Sequence, residues 1–225
     1  MAKKQTDELD KVNEALSNSE QFIQKYQNPI LVVVLTIVLV VSGYLAIRHF
    51  YIIPREDKAQ AAMYQAILAF EKDSFNLAIK GNENFSGLEV IADEYSSTKA
   101  GNLANAYLGL SYCALKDYSK AKDYLSKYSG NETIVAPAVK AAIGDCLVNM
   151  GKFDESVSYF ENAAKESNDD VFSPIYLQKA GTVYEKLGQY QKAADVYQSI
   201  KDKHPASSAA QGIERYIERA KSKIK

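Results

Sequence analysis

The most apolar stretch of the chain is residues 30–47, ILVVVLTIVLVVSGYLAI, which contains no charge and only three small or weakly polar residues. A helix rises about 1.5 Å per residue, so this run approaches the thickness of a membrane's hydrocarbon core, about 30 Å. Asn28 is suited to cap such a helix and Pro29 to occupy its first turn, so we expect the helix to begin there. The pattern predicts a single transmembrane helix over 29–53.

A buried core helix of a soluble domain is the alternative interpretation of this run. It is disfavoured because no other segment is apolar enough to surround a helix that is hydrophobic on every side. Residues 1–28 are too acidic for the head of a cleaved signal peptide, and no small-residue cleavage site follows the run. The span is therefore expected to be retained.

The polar head, residues 1–28, contains a weaker helical signal. Its apolar residues are spaced so that they share one helix face, and they are Leu9, Val12, Leu16, Ile23 and Tyr26. Thr6 is placed to cap such a helix. A short amphipathic helix that binds a partner is one interpretation, and a partly ordered tail is the other, because isolated helices of this length are marginally stable.

From residue 54 to 225 the chain alternates helix-period segments with short breaks, and no segment shows the alternation of a strand. Comparison of this region with itself superposes Gly109, Gly144 and Gly181, which are 35 and 37 residues apart. Further positions recur at the same offsets: Tyr118, Phe153 and Tyr190; Ala121, Ser156 and Ala193; Leu125, Phe160 and Tyr197. A recurrence at this period is typical of stacked helical repeats.

These residues resemble the tetratricopeptide repeat (TPR), a helix-turn-helix unit of about 34 residues. The third repeat matches the family pattern most fully, in Gly181, Tyr184, Leu187, Gly188, Tyr190, Ala193, Tyr197 and Pro205. One such repeat cannot bury its own apolar face, so neighbouring repeats must stack. The resulting fold class is all-α: a TPR-like helical-repeat solenoid with one N-terminal transmembrane helix.

The repeat register divides the soluble region along the chain. It predicts a degenerate first repeat at 56–95, repeats at about 100–130, 134–168 and 172–205, and a C-terminal capping helix at 207–223. A loop is expected at 81–87.

Composition and motifs argue against nucleic-acid binding and against catalysis. The formal net charge is −1, which gives no electrostatic reason to expect nucleic acid as a partner. Two histidines, two cysteines and no phosphate-binding or nucleophile motif predict a non-enzymatic protein with no cofactor, no metal site and no small-molecule substrate. Cys113 and Cys146 fit either small packing residues or a redox pair.

In TPR proteins the concave face of the stack binds an extended peptide or a partner helix. The corresponding positions here are Leu103, Ala106, Leu110, Ala138, Ala141, Asp145, Ile175, Gln178 and Thr182. The Lys and Asn residues by which one subfamily holds C-terminal carboxylates are absent from these positions, so a hydrophobic segment or a protein helix is the expected occupant. Packing of the chain's own C-terminal helix into the groove is the alternative.

The whole arrangement of polar head, single span and repeat domain resembles the bacterial membrane-anchored TPR proteins that accompany the Sec translocon. The resemblance implies a single-pass protein of the bacterial inner membrane, with a cytoplasmic N-terminus and a periplasmic repeat domain. It also implies translocon subunits, a periplasmic chaperone and secreted clients as protein partners.

Charges that flank the span do not decide its orientation, with four basic residues before it against three after it. A TPR scaffold or adaptor that faces the cytoplasm and assembles a membrane complex is therefore a second hypothesis. An enzyme with an unrecognised site is a third.

Overall fold

A computed structural model describes the backbone of residues 2–224 and the side chains of residues 25–224. Within these residues the regular secondary structure is helical, except for one two-stranded hairpin. In chain order the elements are α1 (Ala2–Ile47), a π-helical segment (Arg48–Ile52), α2 (Ile53–Glu71), α3 (Phe75–Lys80), β1 (Gly81–Asn82), β2 (Phe85–Ser86), α4 (Leu88–Glu94), α5 (Lys99–Ala114), α6 (Tyr118–Leu125), α7 (Val135–Asn149), α8 (Phe153–Ser167), α9 (Ser173–Lys186), α10 (Tyr190–Lys203), a 3-10 turn (Ser208–Ala210) and α11 (Ile213–Lys221). The chain divides into two units, 1–54 and 55–225.

The first unit contains the apolar run, which lies in α1 with its side chains exposed. Among the described residues, one continuous helical stretch is long and apolar enough to cross a membrane. It is Lys25–Glu71, which contains the C-terminal part of α1, the π-helical segment and α2. Leu39, for example, leaves 72% of its surface exposed. This exposure fits a helix that faces lipid, and it does not fit the alternative of a buried core helix.

The helix does not begin at Asn28 and Pro29, as their capping chemistry predicted. α1 runs continuously through both residues and contains Pro29 in its interior. Proline removes one backbone donor, but a helix can continue past it, and apolar membrane-type helices tolerate proline better than soluble ones. Apart from Tyr26, the predicted stripe of apolar residues in the head lies outside the residues whose side chains are described.

The second unit is built from helix pairs joined by one recurrent turn. Asp73, Lys116, Gly151 and Gly188 occupy the same place in the four turns, and all have positive φ, from 56° to 75°. In each turn the N–H of the next residue donates to the carbonyl five residues earlier, at 2.8–2.9 Å. This is the Schellman ending of a helix. The turn between α2 and α3 ends α2 in the same way as the turns that end α5, α7 and α9.

The segment after α3 interrupts the regular pairs. A small antiparallel hairpin pairs Gly81 with Ser86 and Asn82 with Phe85. The Asn82 side-chain oxygen accepts hydrogen bonds from the N–H groups of Asn84 and Phe85, at 2.8 and 3.2 Å. Sequence alternation cannot reveal strands of two residues, so this region was expected as a plain loop. The helix α4 then leads to α5.

In α5–α6, α7–α8 and α9–α10 the two helices are held close by a glycine in the first that faces a large side chain in the second. A Cβ atom added to the glycine would lie 2.3 Å from Leu125 Cγ at Gly109, 2.8 Å from Phe160 Cε1 at Gly144 and 2.3 Å from Tyr197 Cε1 at Gly181. Leu125, Phe160 and Tyr197 are at most 1% exposed. The recurrent glycines and the recurrent large residues, two of the sets that define the repeat in the sequence, are therefore in direct contact.

Candidate functional site

Four of the nine residues predicted for the concave face lie around one open cavity. Asp145 comes from α7, and Ile175, Gln178 and Thr182 come from α9. The cavity has a volume of about 360 Å³, and its other lining residues are Val148, Phe160, Lys179, Val183 and Tyr216. We call this cavity the α7–α9 groove.

Two of the nine predictions are wrong. Ala106 and Ala141 are only 3% and 4% exposed and belong to the hydrophobic core. Ala141 packs in the same cluster as Val157 and Tyr176. A methyl side chain lets the neighbouring helix approach closely, so alanine at these positions supports the stacking of repeats and offers no surface to a partner.

The other three predicted residues lie outside the α7–α9 groove. Leu110 and Ala138 are exposed and Leu103 is half-buried, but none of them lines the cavity. They remain predicted contacts of an extended partner that continues beyond the groove.

An ion pair and an aromatic ring define the chemistry of the groove. The Lys179 ammonium donates to both carboxylate oxygens of Asp145, at 2.8 and 2.6 Å. The same ammonium lies 5.6 Å from the centre of the Phe160 ring. Both charged side chains keep close to half of their surface exposed, so the pair contributes at most about 1 kcal/mol to stability. The pair therefore lies within reach of polar groups of a bound segment.

Several groove residues were missed from the sequence. Val148 lies one helical turn after Asp145, and Lys179 and Val183 each follow a predicted residue directly, so a wider helix face would have included them. Phe160 belongs to a second helix and was assigned to packing alone. Tyr216 lies on α11, which the repeat alignment did not cover.

The C-terminal helix does not fill the groove. α11 packs on α10, where Ile213 and Ile217 join a cluster with Tyr197. The rings of Tyr197 and Tyr216 meet edge to face with their centres 5.4 Å apart. Arg219 binds both carboxylate oxygens of Glu185, at 2.9 and 2.7 Å. α11 therefore closes the end of the stack, and only Tyr216 reaches the groove.

A larger cavity of about 900 Å³ lies among α4, α5 and α6 and is lined mainly by polar side chains. At its edge Tyr112 donates a hydrogen bond to Glu89 at 2.7 Å, and Lys80 binds the same carboxylate at 2.5 Å. Burial alone would raise the pKa of Glu89, but these two hydrogen bonds outweigh it and hold the pKa below its usual value. The Glu89 carboxylate at this edge is therefore already held by two donors of the protein itself.

The residues from 25 to 224 contain no group of three or more side chains placed to hold a metal ion. The α7–α9 groove combines apolar side chains with the Asp145–Lys179 ion pair.

Helix pairs of this kind, stacked with a shared turn and a glycine that faces a large buried side chain, define a tetratricopeptide-type solenoid. Residues 20–219 match the tetratricopeptide repeat-like domain family. Since the match covers most of the chain, the protein belongs to that family, whose fold is typically a protein-binding scaffold.

Two known proteins illustrate the relationship. A TPR repeat-containing protein of Methanocaldococcus jannaschii is 30% identical over 146 residues, which are 63% of this chain and 25% of that protein. This chain thus spans about a quarter of the length of that curated relative. The TPR-like repeats of a kinesin light chain from Podosopora anserina superpose with a TM-score of 0.57 at 13% identity, over 75% of this chain and 87% of theirs. At that identity the likeness concerns the fold alone.

Proposed function

We propose that the protein is a membrane-anchored protein-interaction module in which the α7–α9 groove binds a segment of a partner protein. The observation that supports this most is the groove itself, which is open, concave and formed mainly by the first helices of two neighbouring repeats. The apolar helix in the N-terminal unit supplies the anchor. The proposal includes no catalytic step and no cofactor.

The chemistry of the groove indicates what kind of segment it would bind. A volume of about 360 Å³ lies at the low end of ligand pockets, so it suits one or two anchoring side chains of an extended peptide or helix. Val148 and Ile175, which are half-buried, offer apolar surface to those anchors, whereas Phe160 and Val183 line the groove with almost no exposed surface. Lys179 is already neutralised by Asp145, so a C-terminal carboxylate is a poor fit.

At a finer level we propose an ancillary subunit of the Sec translocon and periplasmic chaperone network in a bacterial inner membrane. The N-terminus would lie in the cytoplasm and the repeat domain in the periplasm. Support comes from the resemblance of the whole arrangement to translocon-associated TPR proteins. The partners would be translocon subunits, a periplasmic chaperone and secreted clients. A cytoplasmic TPR scaffold is the competing proposal, because the flanking charges accommodate both orientations.

Site-specific photo-crosslinking tests the partner. A photoreactive amino acid replaces Thr182, which is exposed in the groove, and in a matched protein it replaces Ser158, which is exposed on α8 outside the groove. We expect the probe at position 182 to capture translocon subunits, a periplasmic chaperone or secreted proteins. Recovery of cytosolic proteins alone would reject the translocon proposal and favour the scaffold.

Protease treatment of intact spheroplasts tests the orientation separately. A periplasmic repeat domain is digested without lysis, whereas a cytoplasmic one is digested only after the membrane is opened. Protection in intact spheroplasts would overturn the periplasmic proposal without affecting the interaction module.

A further inference from the structure

Cys113 and Cys146 meet across two neighbouring repeats. Their Sγ atoms are 3.1 Å apart, and both thiols are free. A disulfide bond is about 2.05 Å long, so the sulfur atoms need to approach by only about 1 Å to form one. The two cysteines are therefore one juxtaposed pair, and neither is an isolated packing residue.

The pair arises from an offset in the repeat. Cys113 lies four residues after Gly109 in α5, whereas Cys146 lies two residues after Gly144 in α7. The two cysteines thus occupy different positions of the repeat, and the half-turn offset lets them face each other across the first helices of adjacent repeats. A bond between them would join α5 directly to α7.

We propose that Cys113 and Cys146 form a reversible dithiol-disulfide site that fixes the first two complete repeats to each other. The oxidant is an external disulfide, either a small molecule such as oxidised glutathione or the disulfide of a thiol oxidoreductase. The two protein thiols lose two electrons and two protons and form one S–S bond. The external disulfide takes up the two electrons and the two protons and is released as two thiols.

The exposure of the two thiols sets the order of the steps. Cys146 is fully buried, whereas Cys113 is half-buried and reachable from solvent. The Cys113 thiolate attacks the external disulfide, forms a mixed disulfide and expels the first thiolate, which takes up a proton. Cys146 then loses its proton, attacks the Cys113 sulfur and expels the second thiolate, which is protonated in turn.

The electrostatics of the pair agree with this order. A hydrogen bond from the Cys146 thiol holds the pKa of Cys113 below its ordinary value. The same hydrogen bond, together with burial, raises the pKa of Cys146. Thiolate therefore forms first at Cys113, the sulfur that an external disulfide can reach.

The bond would act on the binding site through α7. Cys146 follows directly after Asp145, and Val148 lies two residues further on, so both groove residues belong to the helix that the disulfide fixes. The oxidised form would hold the α7 wall of the groove in one position relative to α5, and the reduced form would let the two repeats shift.

A glutathione titration of the full-length protein in detergent micelles tests the site. After equilibration with mixtures of reduced and oxidised glutathione, the protein is quenched with acid, denatured and labelled with a maleimide, and its intact mass is measured. We expect the wild type to pass from two free thiols to none in one step, as a monomer, with the loss of two hydrogens and no attached glutathione. Cys146→Ala is expected to hold one glutathione at Cys113, and Cys113→Ala is expected to keep its buried thiol free.

Three results would overturn the proposal: two free thiols in the wild type in oxidised glutathione alone, a glutathione adduct that persists on the wild type, or a disulfide between two molecules. The wild-type mass decides the matter even where a variant fails to fold. The titration makes no assumption about compartment or partner, so its failure is distinguishable from failure of the proposed function.

Discussion

The ring of Tyr197 lies directly on the backbone of Gly181, so that a Cβ atom added to the glycine would be 2.3 Å from Cε1 of the ring. Tyr197 is fully buried. Its hydroxyl donates to Glu185 at 2.9 Å, which also fixes the end of the ring. This contact sets the distance between α9 and α10, and its counterparts do the same in the two preceding repeats.

Gly181→Ala is accordingly expected to lower the free energy of unfolding by about 1–3 kcal/mol, the usual cost of overpacking a core. The cost would be larger without the gain in helix propensity of up to about 1 kcal/mol that alanine brings. Urea unfolding of the wild type and the variant measures the difference.

The Tyr197→Ala background supplies the control for this prediction. With the ring removed, Gly181→Ala is expected to be neutral or stabilising, since only the propensity gain is left. An equal loss in both backgrounds would show that the ring is not the cause.

The shared turn leads to a second prediction, at Lys116. Its φ of 61° is a left-handed conformation that costs a residue with a Cβ atom roughly 1 kcal/mol, and glycine occupies the equivalent place at Gly151 and Gly188. Lys116→Gly is expected to raise the free energy of unfolding by about 0.5–1 kcal/mol. Lys116→Ala, which removes the charge but keeps the Cβ atom, is expected to give no such gain. A similar gain from both variants would contradict the backbone explanation.

A pH-dependent contribution to stability is expected from Glu89. Its pKa is lower in the folded protein than in the unfolded chain, so its contribution is present above the unfolded value of about 4.5 and is lost as pH falls through the folded pKa. Glu89→Gln is expected to cost about 1 kcal/mol or less near neutral pH, and nothing once the pH lies below both values. Glu83→Gln, at an exposed position in the hairpin turn, is the matched control.

Unfolding in urea at a series of pH values from 7 downward measures the Glu89 effect. A difference between the wild type and Glu89→Gln that stays constant over the whole series would show that the loss comes from packing and not from the charge.

Oxidation of Cys113 and Cys146 is expected to stabilise the repeat domain. The bond would close a loop of intermediate length, for which the loss of chain entropy in the unfolded state corresponds to about 3–4 kcal/mol. Thermal unfolding of the oxidised and reduced forms tests this, with Cys113→Ala under the same two conditions as the control. No difference between the two forms of the wild type, once the bond is shown to be present, would mean that the bond strains the native packing.

Sequence reasoning found the repeats because their defining contacts recur at fixed spacing. Each glycine and its facing large residue, such as Gly144 and Phe160, are sixteen residues apart in all three repeats. Gly151 and Gly188 are turn positions where the residue type fits the positive φ, because glycine adopts it readily. Asp73 and Lys116 occupy the same conformation without glycine, so composition alone gave no sign of their positive φ.

The groove was harder to predict because it depends on how successive repeats stack. Ala106 and Ala141 fall on the same helix face as the groove residues, yet the next helix covers them. Tyr216 enters from a helix outside the aligned repeats. The pairing of Cys113 with Cys146 likewise results from the stacking of α7 on α5, which the sequence pattern does not specify. Pro29 did not mark the start of the helix. Proline is favoured in the first turn of a helix, but it is also tolerated inside an apolar helix, and the sequence does not distinguish these two positions.

The central claim, that the α7–α9 groove binds the partner, is tested most directly by Thr182→Arg, which places a long charged side chain in the groove from an exposed position. The measurement is the yield of the crosslinked partner from a probe at Gln178, compared with the yield in Ser158→Arg, whose arginine lies on α8 outside the groove. We expect Thr182→Arg to lower the yield at least about tenfold, equivalent to about 1.4 kcal/mol of binding free energy, with an unchanged unfolding midpoint. Equal yields from the two arginine variants would contradict the claim.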